Sequence, residues 1–173
     1  MKLHLGCGSN IFKGWVNIDL KKGDVKHDLR KPLPYNNSTI DIIYNEHFIE
    51  HLSNNDQKKF LNECYRVLKP NGIIRIACPD LELCIQLYLN KTFIKESWAQ
   101  KAGCKTNCHC LNTSFYAWEH KHLPDYEDIE IKLKEVGYKS VYRCQYKVSK
   151  YKELANLETR PPNQDSLIVE AIK

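Results

Sequence analysis

Apolar residues in this chain fall into short runs whose period changes along its length. Leu3-His4-Leu5 runs into Gly6-Cys7-Gly8, and Val16-Asn17-Ile18 runs into Asp19. Both read as short strands, the first turned sharply by glycines and the second delivering a carboxylate. Ile40-Asp41-Ile42-Ile43-Tyr44, bounded by Asn36-Asn37-Ser38, predicts a buried strand. The period then lengthens. Phe60, Leu61, Cys64, Val67 and Leu68 form a stripe at helical spacing, with Ser53-Asn54-Asn55-Asp56 as the N-cap region and Pro70-Asn71-Gly72 as the stop. Ile73 to Cys78 is the next strand, and Pro79-Asp80 breaks out of it toward a helix over Leu81 to Leu89. Strand, helix, strand, helix in this order predicts a mostly parallel sheet with right-handed crossovers.

The pattern lapses from Lys91 to Leu123, where aromatics, cysteines and histidines crowd together without a clear period. Such a segment inside a small domain reads as a lid or binding loop. Past it, Asp125 caps a helix carrying Ile129, Leu133 and Val136 and ended by Gly137. Strands over Ser140 to Gln145 and Ser166 to Ile172 follow, separated by a polar stretch with Arg160-Pro161-Pro162-Asn163.

The opening layout is that of a nucleotide-binding site, with one irregularity. A dinucleotide fingerprint has a third glycine and an acid about 20 residues further on, whereas Ile11 stands at the third glycine and Asp19 follows early. The connector from Gly6 to Gly14 would reach only about 13 Å if fully helical, against a strand of roughly 17 Å. Either the first crossover helix is nearly deleted or the strand assignment is wrong, and the α/β pattern downstream favours deletion.

With 173 residues, 42% hydrophobic and 27% charged, the chain has the size of one domain spanning 1–173. A net charge of +5 is spread without a block of like charges, so it does little to favour a negatively charged partner. The absence of a long apolar run or a charged leader predicts a cytoplasmic protein without a membrane span. Cys7, Cys64, Cys78 and Cys84 sit in apolar segments, where thiols act as small hydrophobes, and argue against a disulfide scaffold. Cys104, Cys108 and Cys110, with His109, His120 and His122, invite a zinc reading, but only the first cysteine interval fits paired structural-zinc spacing. No metal is expected.

As an ordered set, Leu3-His4-Leu5-Gly6-Cys7-Gly8, Asn17-Ile18-Asp19, His27-Asp28-Leu29, Leu33-Pro34-Tyr35, the run Asp41 to Leu52 and Arg66-Val67-Leu68-Lys69-Pro70-Asn71-Gly72 resemble class I S-adenosylmethionine-dependent methyltransferases. The nearest likeness is to the small type 11-like subgroup associated with glycan and cell-surface polysaccharide pathways. That resemblance implies a Rossmann-like, doubly wound, mostly parallel sheet of about seven strands with a shortened first crossover. It implies S-adenosyl-L-methionine as cofactor, a nucleoside without the pyrophosphate of a dinucleotide, so that the missing glycine and helix are less of a defect. By similarity, Gly6, Cys7 and Gly8 line the methionyl and ribose portion, Asp19 takes the ribose hydroxyls, Asp28 and Leu29 take the adenine, and Asn45 faces the methionyl end. Asp28 is a rival for the ribose. His4 departs from the acidic residue common in the family's first motif.

In open α/β sheets ligands sit beyond the carboxyl ends of the strands. That selects His47 and Asp80 as candidate general bases for a hydroxyl acceptor, each with a structural alternative: a helix-start histidine bonded to backbone, and a helix N-cap. His51, with Glu50 beside it, reads as a packing or orienting residue. Tyr116, Trp118, His120 and His122 come from the segment expected to cover the acceptor, with Glu119 among them, and aromatic faces suit the C–H surfaces of sugars. The expected function is O-methylation of a sugar or glycan hydroxyl on a small-molecule or glycan acceptor. Rivals are a methyltransferase acting on nucleic acid or protein and a non-catalytic Rossmann-like scaffold. An Asn/Asp-Pro-Pro-Tyr motif and a basic stripe are both absent, which speaks against the first rival.

Overall fold

The computed structural model describes residues 1–160 and 166–173, so Pro161-Pro162-Asn163 of the polar stretch lie outside the described residues. Seven strands, β1 (Lys2–Leu5), β2 (Val16–Asp19), β3 (Val25–Lys26), β4 (Ile40–Glu46), β5 (Leu68–Pro79), β6 (Ser140–Arg143) and β7 (Ser166–Ile172), form one sheet. Its order is β3-β2-β1-β4-β5-β7-β6, parallel from β3 to β5, with β7 antiparallel to both its neighbours. Strand order reverses beside β1, with β2 on one side and β4 on the other, which is where ligands bind in open α/β sheets. The helices are α1 (Asn54–Val67), α2 (Leu81–Leu89), α3 (Ser97–Lys101), α4 (Asn107–Tyr116) and α5 (Tyr126–Val136).

Alternation along the strands sorts the two faces of the sheet. Leu3, Leu5, Ile43, Ile74, Ile76 and Val169 are buried on one face, packed with Phe60, Leu61, Cys64 and Val67 of α1 and Ile129 and Leu133 of α5. Ser53 caps α1 by accepting from the Asp56 amide, and Asp125 caps α5 by accepting from the Asp128 amide. Gly137 closes α5 at φ 115°, in the left-handed region where other residues are strained. These limits agree with the sequence pattern.

The opposite face carries a polar and aromatic row set by the strand register: Asn17, His4, Tyr44, Arg75, Glu170 and Tyr142. Irregular chain covers this row. His4 stacks on Phe12 at 4.3 Å, and Trp15 meets Phe12 edge-on at 5.9 Å and Tyr44 at 6.5 Å. The connector from β1 to β2 contains no helix, as its length requires, and its Phe12 and Trp15 fill the place of a crossover helix. His4 is therefore a core residue here, and burial pulls its imidazole below the usual range. At the centre of the row the fully buried Arg75 donates to Glu158 at 2.6 Å, to Glu170 at 2.5 Å and to the Val148 carbonyl at 3.0 Å. Both carboxylates offset the cost of burying the guanidinium and pin the segment before residue 160 to the sheet.

Residues 91–123 differ from the unpatterned loop expected. They form 3-10 turns together with α3 and α4, and with α2 they enclose a small core of Cys84, Leu87, Phe93, Ala99, Cys104 and Cys110. Each helical piece is too short for a stripe to repeat, which is why no period shows in the sequence. None of the eight cysteines lies in a disulfide among the described residues, and no helix among them is long and apolar enough to cross a membrane.

Candidate active site

Two neighbouring cavities open beyond the carboxyl ends of β1, β2, β4 and β5. The first, about 210 Å³, is lined by Gly6, Asp19, Asp28, Leu29, Phe48 and His51 among others. The second, about 260 Å³, is lined by His47, Glu50, His51, Trp98, Trp118, His120 and Arg160 with Pro79 and Ser114. His51 belongs to both.

Local folding explains the first cavity. Gly6 has φ 70°, and a Cβ there would fall 2.7 Å from Phe48, so glycine lets that ring close against the turn. Gly8 has φ 53° and open space where a Cβ would stand, but it is not among the residues that line the cavity. Its amide donates to Asp19 Oδ2 at 3.2 Å, while Asp19 Oδ1 accepts from the Lys21 and Lys22 amides at 2.9 and 3.1 Å. Burial pushes Asp19 up, but these three amides outweigh it and hold the carboxyl below its usual range. Asp28 accepts from Arg30 Nε and Nη2 at 2.9 and 2.8 Å, and that guanidinium holds it down to about 2. Gly6, Asp19, Asp28 and Leu29 thus line one cavity. The Cys7 side chain is buried and donates to the Gly8 carbonyl, and Asn45 is fully buried; neither side chain lines the cavity.

The second cavity is built where β4 ends. His47 takes φ 48°, a left-handed conformation that strains a non-glycine residue, and its amide donates to the Ala77 carbonyl of β5 at 2.8 Å. The following 3-10 turn, Ile49–His51, presents Glu50 and His51. His47 Nδ1 lies 3.2 Å from Glu50 Oε1, an ion-pair separation without hydrogen-bond alignment. Burial pushes the fully buried Glu50 up, but His47 and His51 bring it below its usual range. Trp118 of this cavity and Glu119, which lines the first, both have positive φ, 55° and 64°. His120 directs Nδ1 to the Ser114 carbonyl at 2.7 Å. Amides of Lys121 and His122 donate to the Glu50 carbonyl at 2.9 and 3.3 Å and bind this segment to the turn. Glu46 accepts from the Thr159 and Arg160 amides at 2.9 and 3.3 Å, which brings Arg160 to the rim.

Three residues singled out from the sequence stand elsewhere. Asp80 caps α2, accepting from the Glu82 amide at 3.1 Å, and ion-pairs with Arg143. Burial raises its carboxyl although Arg143 opposes the shift. His122 Nε2 lies 2.9 Å from Asp128 Oδ2, outside both cavities, while its amide donates to the Glu50 carbonyl. Tyr116 is 79% exposed and packs against Phe115. Glu50, His51, Trp98 and Arg160 line the site without having been assigned chemistry from the sequence. Glu50 and His51 had a signal, the contiguous His47-Phe48-Ile49-Glu50-His51; Trp98 and Arg160 had none, because only the packing of distant segments brings them in.

Residues 8–76 match the family model described as a methyltransferase domain. A "Probable S-adenosylmethionine-dependent methyltransferase" of Mycolicibacterium smegmatis is 37% identical over 57 residues, which cover 33% of this chain and 21% of that protein. The match therefore spans about a fifth of that relative's length. An S-adenosylmethionine-dependent methyltransferase from Archaeoglobus fulgidus superposes with a TM-score of 0.61 at 18% identity, covering 99% of this chain and 85% of that one. The fold is that of a class I methyltransferase. A second such enzyme, from Mesorhizobium loti, gives a TM-score of 0.60 at 18% identity over 99% of this chain and 90% of that one. The cofactor that goes with this domain is S-adenosylmethionine. The first cavity fits it on physical grounds. A glycine turn, an ionised carboxylate and no helix or third glycine to cradle a pyrophosphate suit a nucleoside better than a dinucleotide.

Proposed function

We propose that the protein is an S-adenosylmethionine-dependent methyltransferase acting on an oxygen of a sugar or glycan, working in the cytoplasm, with residues 91–123 as its acceptor lid. The observation that carries the reading is the pair of cavities meeting at His51: one is lined by Gly6 of the glycine turn and two carboxylates, the other by the Glu50–His47 pair and two tryptophans. Bound in the first cavity, the cofactor supplies a methyl group on a positive sulfur. Asp19, with an acceptor position left on Oδ2, takes a ribose hydroxyl, Asp28 and Leu29 border the adenine, and the Gly6–Gly8 backbone flanks the tail. On the acceptor side His47, at ion-pair distance from Glu50, takes the hydroxyl proton, a role imidazole fills well near neutral pH. Trp98 and Trp118, packed edge to face at 5.7 Å, form an aromatic wall for the C–H surface of a sugar ring and exclude water. Asp80, already committed to α2 and Arg143, is set aside as the base, and Tyr116 and His122 are set aside as acceptor contacts.

Supplying methyl-labelled cofactor with a panel of oligosaccharides, RNA and peptides tests this. Label is expected in the saccharide fraction, and His47→Ala is expected to slow its transfer by about 100-fold to 10,000-fold while S-adenosylhomocysteine affinity stays nearly constant. Label entering only RNA or peptide, or an unimpaired His47→Ala, contradicts the acceptor and the base respectively.

A further inference from the structure

We propose that Glu50, His51 and His120 form a binding site for one divalent transition-metal ion of the zinc type on the acceptor side of the cavity; its use there rests on the methyltransferase reading, its existence does not. One nitrogen or oxygen of each residue lies within 4.8 Å of those of the other two. Glu50 and His51 are consecutive on one turn, and His120 arrives from the covering segment, its ring centroid 5.0 Å from that of His51. The Lys121 and His122 amides, bonded to the Glu50 carbonyl, fasten that segment in register.

Two further observations point to an ion. Glu50 is fully buried in the wall of the cavity, and neither of its oxygens has a hydrogen-bond partner among the described residues, with only the unaligned His47 ring beside one of them. A buried carboxylate so placed is costly unless a cation completes its shell. His120, in its neutral form, donates the Nδ1 proton to the Ser114 carbonyl, which fixes the tautomer and leaves the Nε2 lone pair available. Metal-ligating histidines are held in this manner.

The donor set is two imidazoles and one carboxylate, which favours zinc-like ions over magnesium or calcium. Ligands on a tetrahedral ion stand roughly 3.4 Å apart when metal–nitrogen bonds are about 2.1 Å, so small side-chain rotations close the present spread. Three protein ligands leave a coordination position open, and Glu50, His51 and His120 all line the cavity assigned to the acceptor. The sequence expectation of no metal rested on cysteine spacing, and none of these ligands is a cysteine.

The test titrates the full chain, freed of metal by chelator, with cobalt(II) followed by visible absorption and with zinc(II) followed by calorimetry. One ion per chain is expected, without a near-ultraviolet thiolate band. His51→Ala, His120→Ala and Glu50→Gln, each checked for folding by circular dichroism, are expected to weaken binding by at least about 100-fold, the upper end of the loss from removing a mere supporting partner. Cys108→Ser, on an exposed thiol outside the site, is expected to leave it unchanged. No saturable binding by millimolar ion overturns the proposal, as does binding lost in Cys108→Ser and kept in His120→Ala. S-adenosylhomocysteine is titrated into the same metal-free preparation. Cofactor binding without metal binding overturns the metal site alone; metal binding without cofactor binding supports the site and overturns the methyltransferase reading.

Discussion

Three backbone amides converge on Asp19, and a carboxylate furnished in this way is ionised, fixed and left with one acceptor position toward the cavity. Removing it by Asp19→Ala is expected to weaken S-adenosylhomocysteine binding by about 1.5–3 kcal/mol, the scale of a hydrogen bond to a charged group. Calorimetric titration checks this, and a far larger loss from Asp28→Ala would exchange the two assignments. His4 yields a second prediction at this scale. Its folded value is lowered by burial, so the unfolded chain binds more protons in the window below about 6.5, and stability falls as pH drops through that window. His4→Phe keeps a ring on Phe12 and removes the titrating group. Its urea midpoint should decline less between pH 7 and pH 5 than that of the parent chain, and an equal decline would deny His4 this role. Gly6, Asp19 and His47 could be placed at the cavities from the sequence because the strand pattern says which residues follow a strand's carboxyl end, and His120 because it lies in the segment expected to cover them. Asp80, His122 and Tyr116 do not line either cavity; the partners of the first two, Arg143 for Asp80 and Asp128 for His122, are decided by packing that sequence spacing does not reveal.

The strands other than the two-residue β3 were readable because each carries at least one full repeat of its period, and the long helices because each carries a repeat and a cap. The shortened connector before β2 was readable from reach alone. What filled its place was not, since Phe12 and Trp15 have no period and acquire meaning only once the register sets His4 beside Tyr44. The same register aligns Arg75 with Glu170, and Glu158 joins them from irregular chain. Arg75→Ala leaves two carboxylates buried without their cation and is expected to destabilise the fold by about 3–5 kcal/mol; a urea midpoint within error of the parent would contradict the triad's importance. Residues 91–116 share a small core with α2, and the chain after them joins the turn after β4 through the Lys121 and His122 amides. Hydrogen exchange in α3 and α4 is expected to be faster than in β4 and β5 without acceptor. Equal protection would deny this segment the mobility of a lid.

For the molecule as a whole, helices on one face of the sheet and aromatic and ionic cover on the other leave the switch point beside β1 open to two adjoining cavities. One is chemically suited to a nucleoside and the other to an acceptor, and His51 marks the passage between them. The central claim is that the first cavity takes S-adenosylmethionine. Calorimetric titration of the full chain with S-adenosylhomocysteine and, in parallel, with NAD tests it most directly. Saturable one-to-one binding of S-adenosylhomocysteine, weakened by Asp19→Ala and much tighter than any binding of NAD, is the expected result; tighter binding of NAD, or no binding of S-adenosylhomocysteine by the folded chain, would contradict it.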